Sequence, residues 1–131
     1  MIVLDASAGV ELVCRDRALS NRVGDRIANE FTVEVPSVFD LEVLQTIRNL
    51  GFGKILNGRA QETALQNLAA LRAARYDHVA LRPRIWSLRH NFTAYDAAYV
   101  ALAEVLEATL LTTDARLARS SGHEAEIELI A

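Results

Sequence analysis

The segment from Thr93 to Leu106 most constrains how this chain can fold. After Thr93 it reads Ala94-Tyr95-Asp96-Ala97-Ala98-Tyr99-Val100-Ala101-Leu102-Ala103, and a helix is predicted over Ala94–Leu106. A helix that is apolar nearly all round must be covered on more than one face. Thr93 stands at the N-cap position, and Asp96 falls three residues later, in the first turn. One reading is a capping box, with the carboxylate facing the positive end of the helix dipole. The other is a functional site, because burying an unpaired charge costs several kcal/mol or forces protonation. Three further acids separate these readings.

Ile2-Val3-Leu4 reads as a short buried strand ending at Asp5, and a helix then opens through Val10, Leu12 and Val13. Asp5 and Ser7 are both possible caps of that helix. Arg17–Ala28 reads as an amphipathic helix, and Thr32–Val35 as a strand stopped by Pro36-Ser37. Val38–Leu50 is helical, with Phe39, Val43, Ile47 and Leu50 at helical spacing and Glu42 about one turn in. Alone, Glu42 reads as a solvated helix position or a partner of Arg48. Gly51–Gly58 suggests a phosphate cradle, but it follows a helix and lacks the Gly-Lys-Ser/Thr ending, so a P-loop is rejected. Arg59–Ala74 is a further helix, Val79-Ala80-Leu81 a strand candidate, and Pro83 starts a short helix with Ile85, Trp86 and Leu88. Ala108–Thr112 reads as a strand ending at Thr113-Asp114, followed by a helix over Ala115–Arg119 and an edge strand over Ile127–Ile130.

Strands separated by helices imply a parallel sheet covered on both faces. In such sheets ligands bind beyond the carboxyl ends of the strands. Asp5, Glu42, Asp96 and Asp114 can all reach that edge, Asp96 provided that a strand near Val79 delivers the chain there.

At 131 residues the chain is expected to form one domain, residues 1–131, with one core. No apolar run approaches the roughly 20 residues of a membrane span. The N-terminus lacks a basic region and meets Asp5, so it does not read as a signal peptide. The single cysteine, Cys14, excludes an intrachain disulfide framework and reads as a small core residue, and a cytoplasmic location is expected. Taken at face value, the net charge of −3 argues against a nucleic-acid binder. If the four acids are set aside as metal ligands, 17 − 4 = 13 acids oppose 14 basic residues, which leaves about +1. Lys54 is the only lysine, and the arginines suit bidentate phosphate contacts.

Four pieces, Ile2–Ala8, Val35-Pro36-Ser37 leading to Glu42, Thr93–Ala103 and Leu110–Asp114, occur in one order across nearly the whole chain. Together they resemble the PIN-domain ribonucleases, and among them the VapC-type toxins of bacterial toxin–antitoxin pairs. The resemblance implies a PIN-like three-layer α/β/α sandwich with a mostly parallel central sheet of four to five strands. It implies an acidic site of Asp5, Glu42, Asp96 and Asp114 that binds magnesium, with manganese able to substitute. It also implies a homodimer and a VapB-type antitoxin that plugs the active groove, giving a heterotetramer or larger. The implied reaction is cleavage of structured RNA, of the tRNA or rRNA class. Some relatives carry a further acid a turn after the aspartate matching Asp114; here Leu117 stands three positions on, which bears on a second metal.

Crowded carboxylates repel, so without a cation some should protonate at raised pKa. A hard divalent ion prefers oxygen ligands. Asp5, Asp96 and Asp114 are assigned as direct or water-mediated ligands. Glu42 is assigned as a water-mediated ligand or proton acceptor, because its helix sets it further back. Ser7 and Thr113 either orient a ligand or contact phosphate, or else simply cap. Arg48, Arg82, Arg84, Arg89 and His90 are candidate guides for the RNA backbone. Trp86 and Tyr76 are candidates for base stacking, although Trp86 reads first as core. The antitoxin would dock an apolar helix on the first helix and Phe39–Ile47. The histidines lack zinc-ligand spacing.

Two other function classes compete. A non-catalytic PIN-like module that binds RNA or protein would use the acids as caps and show no metal dependence. A phosphoryl-transfer or receiver domain would need Asp-x-Asp, where Ser7 stands, or a lysine after a late strand.

Overall fold

A computed structural model describes residues 1–131. The strands are β1 (Ile2–Leu4), β2 (Val33–Pro36), β3 (Ala73–Tyr76), β4 (Thr109–Thr112) and β5 (Glu126–Leu129). The helices are α1 (Ala6–Cys14), α2 (Ala18–Ile27), α3 (Phe39–Phe52), α4 (Gly58–Ala70), α5 (Arg82–Ser87), α6 (Ala94–Leu106) and α7 (Ala115–Ala118), with a single 3-10 turn at Val79–Leu81. The sheet is wholly parallel in the order β3-β2-β1-β4-β5. The chain moves outward from β1 to β3, then crosses back to β4 on the other side of β1. With right-handed crossovers, that reversal puts α5 and α6 on the face opposite α1 to α4, which yields three layers.

The reversal makes a topological switch point between β1 and β4, the place where open α/β sheets hold ligands. There Leu4 pairs with Leu111, and the Asp5 N–H donates to the Leu111 carbonyl at 3.1 Å, one residue beyond the strand. Both central strands are fully buried over Ile2–Leu4 and Leu110–Thr112. On one face α6 covers β1, β2 and β4, with every residue from Ala97 to Ala103 buried. Small alanines on successive turns, Ala97 and Ala101, let this helix sit close to the sheet, while Tyr99, Val100 and Leu102 add bulk to the buried stretch. On the other face α1 meets α2, α3 and α4. Gly9 makes the approach to α3 possible, since a Cβ there would lie 2.6 Å from the Phe39 ring.

Three expectations need correction. The third strand is Ala73–Tyr76, where the end of a helix is predicted, and α4 stops at Ala70. Alanine and arginine favour helix in isolation, but Val33 to Pro36 offer an open edge, and Ala73 to Tyr76 pair with them in parallel. Val79–Leu81 is not a strand: the Asp77 carboxylate accepts from the Val79 N–H at 2.6 Å and turns the chain into 3-10 geometry. The delivery of Asp96 to the carboxyl edge therefore rests on β3. The predicted stop at Gly51 is also passed, as α3 runs on to Phe52.

Candidate active site

Four helices begin at the carboxyl edge of the sheet, because each either leaves a parallel strand there or must start there to lead into the next one. Each carries an acid of the site in its first turn or at its cap, and α3 has a second, Asp40, that is paired with Arg75. Asp5 caps α1, Glu42 lies in the first turn of α3, Asp96 in the first turn of α6, and Asp114 caps α7.

Asp5 is the floor of the pocket, only 5% exposed. One carboxylate oxygen accepts from the Ser7 hydroxyl at 2.7 Å and the Ala8 N–H at 2.9 Å. The other accepts from the Thr112 hydroxyl. Thr112 Oγ1 in turn accepts from the Asp114 N–H at 3.0 Å, and Ser7 Oγ accepts from the Thr113 N–H at 3.0 Å. These bonds lock β1 and α1 to β4 and α7 across the switch point. Ser7 thus orients Asp5, and Thr113 contributes its main chain to the same network. Thr112 was not singled out in the sequence. Its signal is a hydroxyl that closes the strand after Leu110-Leu111, next to the Thr113-Asp114 turn.

The wall is Glu42, half-buried and held by Tyr99, whose hydroxyl donates to Glu42 Oε1 at 2.6 Å. Tyr99 is fully buried, one turn after Asp96 on α6, so it ties α3 to α6 beneath the pocket. Sequence reasoning missed this role, because an aromatic residue in a buried helix reads as core. The rim is Asp96 and Asp114. Asp114 Oδ1 caps α7 through the Arg116 N–H at 2.9 Å. The Arg116 guanidinium lies 3.9 Å from Asp96 and 3.6 Å from Asp114, and its side chain is 78% exposed.

Burial is the main force on these groups. It pushes Asp5 above the usual carboxylate range against the pull of its three hydrogen bonds, and the Asp114 charge adds to the rise. Burial also raises Glu42, opposed by Tyr99 and assisted by the Asp96 and Asp5 charges. Asp96 is raised by burial and by Asp114, and Arg116 opposes both. Tyr99 is pushed above its ordinary value by burial and by donating to Glu42. Mutual repulsion is thus real but secondary to the loss of water.

The donor set is all oxygen, as a hard divalent cation requires. Glu42 Oε2, both Asp96 oxygens and Asp114 Oδ2 accept no hydrogen bond, so they remain available for an ion. No three acids already converge on a single coordination point. That pattern suits a hydrated ion, since magnesium keeps several waters and takes one or two carboxylates. Leu117, the position where some relatives have another acid, is buried in the core.

The arginine candidates separate. Arg82 lines a groove beside α6 with Trp86, and the Arg89 guanidinium stacks on the Trp86 ring at 4.6 Å. Arg84 is committed to Glu104, with contacts of 3.0 and 2.8 Å, near the far end of α6. Arg48 lies late on α3, stacked on Phe52 at 4.7 Å and away from the carboxylates; it does not pair with Glu42. His90 is exposed, and Tyr76 gives its hydroxyl to Glu34 at 2.9 Å. Trp86 is not core: it is 68% exposed. The short helix around it has no buried residue to carry it inward.

The PIN domain family model matches residues 2–122, and the chain belongs to that family, within its VapC group. It is 42% identical over 131 residues to Ribonuclease VapC12 of Mycobacterium tuberculosis, covering all of both chains. It is 37% identical over 130 residues to Ribonuclease VapC9 of the same organism, covering 99% of this chain and 98% of the relative. Among solved structures, VapBC2 from Rickettsia felis, bound to a DNA fragment from their promoter, aligns with TM-score 0.70 at 15% identity over 98% of each chain. The Sarcin-Ricin loop cleaving toxin VapC20 of Mycobacterium tuberculosis aligns with TM-score 0.68 at 15% identity, over 90% of this chain and 93% of that one. Both share the expected PIN-like architecture. No helix is long and apolar enough to cross a membrane.

Proposed function

We propose that this chain is an endoribonuclease, the toxin of a VapBC-type toxin–antitoxin pair, and that it cuts structured RNA of the tRNA or rRNA class with magnesium or manganese. The observation that carries this reading is that four acids from four helix starts lie close enough at the carboxyl edge to act on one another's charge, three of them held above the usual carboxylate range. The names of the VapC relatives support it. Asp5, Asp96 and Asp114 would hold the ion, with Asp5 fixed by Thr112 and Ser7. When bound, such an ion supplies positive charge against the phosphodiester and makes a water more acidic. Glu42 is the proton acceptor: Tyr99 holds one of its oxygens, and Oε2 is free to take the proton of the attacking water. The water oxygen bonds to phosphorus, the bond from phosphorus to one ribose oxygen breaks, and the departing oxygen takes up a proton from solvent.

The proposed antitoxin surface is the groove of about 420 Å³ between α3 and α4, lined by Leu44, Ile47, Arg48, Phe52 and Leu65. Leu41, Phe52 and Ile55 are exposed beside it, while Phe39 and Val43 are buried and α1 presents mainly packed residues. Leu41 and Leu44 lead from that groove toward the acidic pocket. A homodimer, closed into a heterotetramer or larger with antitoxin, is the proposed assembly, and light scattering with and without antitoxin checks it.

The test incubates purified protein with total RNA and magnesium beside Asp96→Asn. The expected loss is about a thousandfold; equal cleavage by the two proteins sinks the assignment. A second reading, the non-catalytic binding module, draws on the absence of a converged three-acid cluster. It predicts that millimolar manganese leaves the melting temperature unchanged, whereas a native-state ligand must raise it.

A further inference from the structure

Beside the carboxylates lies a second concavity that the proposed hydrolysis does not use. It has a volume of about 480 Å³, within the roughly 300–1,000 Å³ typical of small-molecule sites. Its walls come from the end of β2 and the residues after it, from His78 just ahead of the 3-10 turn, from α5, and from the start of α6. Trp86 and Tyr95 stand on it, 68% and 61% exposed, with Ile85 and Val38 as apolar lining and His78 and Arg82 as polar lining. Large aromatic residues exposed in one groove mark an interaction site more often than chance exposure does.

We infer that this groove is a subsite for an unpaired nucleobase of the RNA, next to the phosphate that is cut. The inference rests on the ribonuclease reading above. Three observations carry it. First, the groove lies beside the start of the helix that carries Asp96: Tyr95 directly precedes Asp96, and Ala98 of the same helix turn lines the groove wall. The segment Pro36–Val38 on the other side leads into the helix of Glu42. A nucleotide seated there lies beside the helix starts that carry Asp96 and Glu42.

Second, the surfaces match a base and its phosphate. Indole and phenol faces stack on any nucleobase, and such stacking tolerates sequence. Arg89 covers one face of Trp86 and leaves the other for a base. Arg82, on the same wall, carries no carboxylate partner; it donates to the Val79 carbonyl at 3.3 Å. From His78 to Tyr95 the sequence contains no acid, which supplies the charge complementarity a polyanion needs. Third, a second copy of this chain is a poorer occupant. In a two-fold contact the same patch meets itself, and a stretch with no acid from His78 to Tyr95 offers the basic groups of its copy no complementary charge.

Trp86 is the only tryptophan in the chain, so its emission reports on this groove alone. The catalytically impaired Asp96→Asn protein is titrated with a fluorescein-labelled RNA hairpin bearing an unpaired loop. The same RNA annealed to its full complement serves as the comparison. RNA binding is read by anisotropy and Trp86 stacking by quenching. The hairpin is expected to quench the emission and to bind about tenfold tighter than the duplex. Trp86→Ala and Tyr95→Ala are each expected to weaken hairpin binding about tenfold, and Trp86→Phe to restore most of it. In the cleaving protein the same substitutions raise KM more than they lower kcat.

Hairpin binding with unchanged Trp86 emission, and equal affinity in Trp86→Ala, overturns the subsite while wild-type cleavage of total RNA still supports the nuclease. Loss of cleavage in the wild type overturns both. A change of molecular mass in Trp86→Ala, with RNA affinity unaltered at equal oligomeric state, assigns the groove to self-association and overturns the inference.

Discussion

The floor and the rim of the acidic pocket are built on opposite principles. Asp5 at the floor is buried and receives hydrogen bonds from Ser7, Ala8 and Thr112. Asp96 at the rim receives none, and its nearest cation is the exposed Arg116 at 3.9 Å. The floor is a structural joint that also bears charge; the rim is charge with little structure to hold it. The contrast teaches that acids in one site need not share one cost. Removing the floor should damage both fold and chemistry, and removing the rim the chemistry alone.

Asp5→Ala against Asp96→Ala tests this most severely. Both are expected to lose RNA cleavage by about a thousandfold. Only Asp5→Ala is expected to lose stability as well, by about 1–2 kcal/mol in urea unfolding, because α1 loses its cap and the Thr112 hydroxyl loses its acceptor. Equal stability of the two variants would break the comparison.

Tyr99→Phe probes the wall between floor and rim. A hydrogen bond to a charged group contributes roughly 1.5–3 kcal/mol, so a loss of about 1–2 kcal/mol is expected for this partly solvated partner. The Tyr99 bond holds the Glu42 pKa down. Without it Glu42 protonates at higher pH, and the acid limb of the cleavage profile is expected to move upward. An unmoved limb would show that Glu42 is not the proton acceptor.

A smaller effect concerns pH. The folded pKa of Asp96 lies above its ordinary 3.8. The folded state then holds the proton more tightly than the unfolded chain, so stability is greatest below that ordinary value and is lost as pH rises through the folded pKa. In metal-free protein the wild type is expected to lose melting temperature relative to Asp96→Asn as pH rises from about 4 toward neutrality. Millimolar manganese is expected to reverse this loss in the wild type only. Parallel pH curves with and without manganese would argue that the rim holds no ion.

The smallest effect belongs to Arg116→Ala. An exposed ion pair contributes little to folding, so the melting temperature is expected to stay the same. Manganese binding, read by calorimetry, is expected to tighten severalfold, because a competing positive charge has left the rim. Weaker binding would instead make Arg116 part of the support for the site.

Much of this architecture was legible beforehand for a clear reason. The apolar segment of α6 could only be buried, and the acids following Ile2–Leu4 and Leu110–Thr112 could only lie at the carboxyl edge of parallel strands. Ala73–Tyr76 was illegible because its local preference is helical, and only pairing with an exposed sheet edge makes it a strand. Trp86 was misread because a short helix does not reveal which of its sides faces solvent. The second role of Tyr99 was hidden because the acceptor of its hydroxyl lies 57 positions away in sequence.

By itself the sequence determined which residues carry charge, which segments must be buried, and the order of strand and helix that leads to a parallel sheet. Those properties follow from hydrophobic period and composition, which act locally along the chain. The tertiary structure alone decided that Thr112 and Ser7 pin one carboxylate while Arg116 loosely screens two others, and that a groove with two aromatic residues opens next to them. Such pairings depend on the close approach of distant segments, and no local pattern encodes the distances at which hydrogen bonds and charges act.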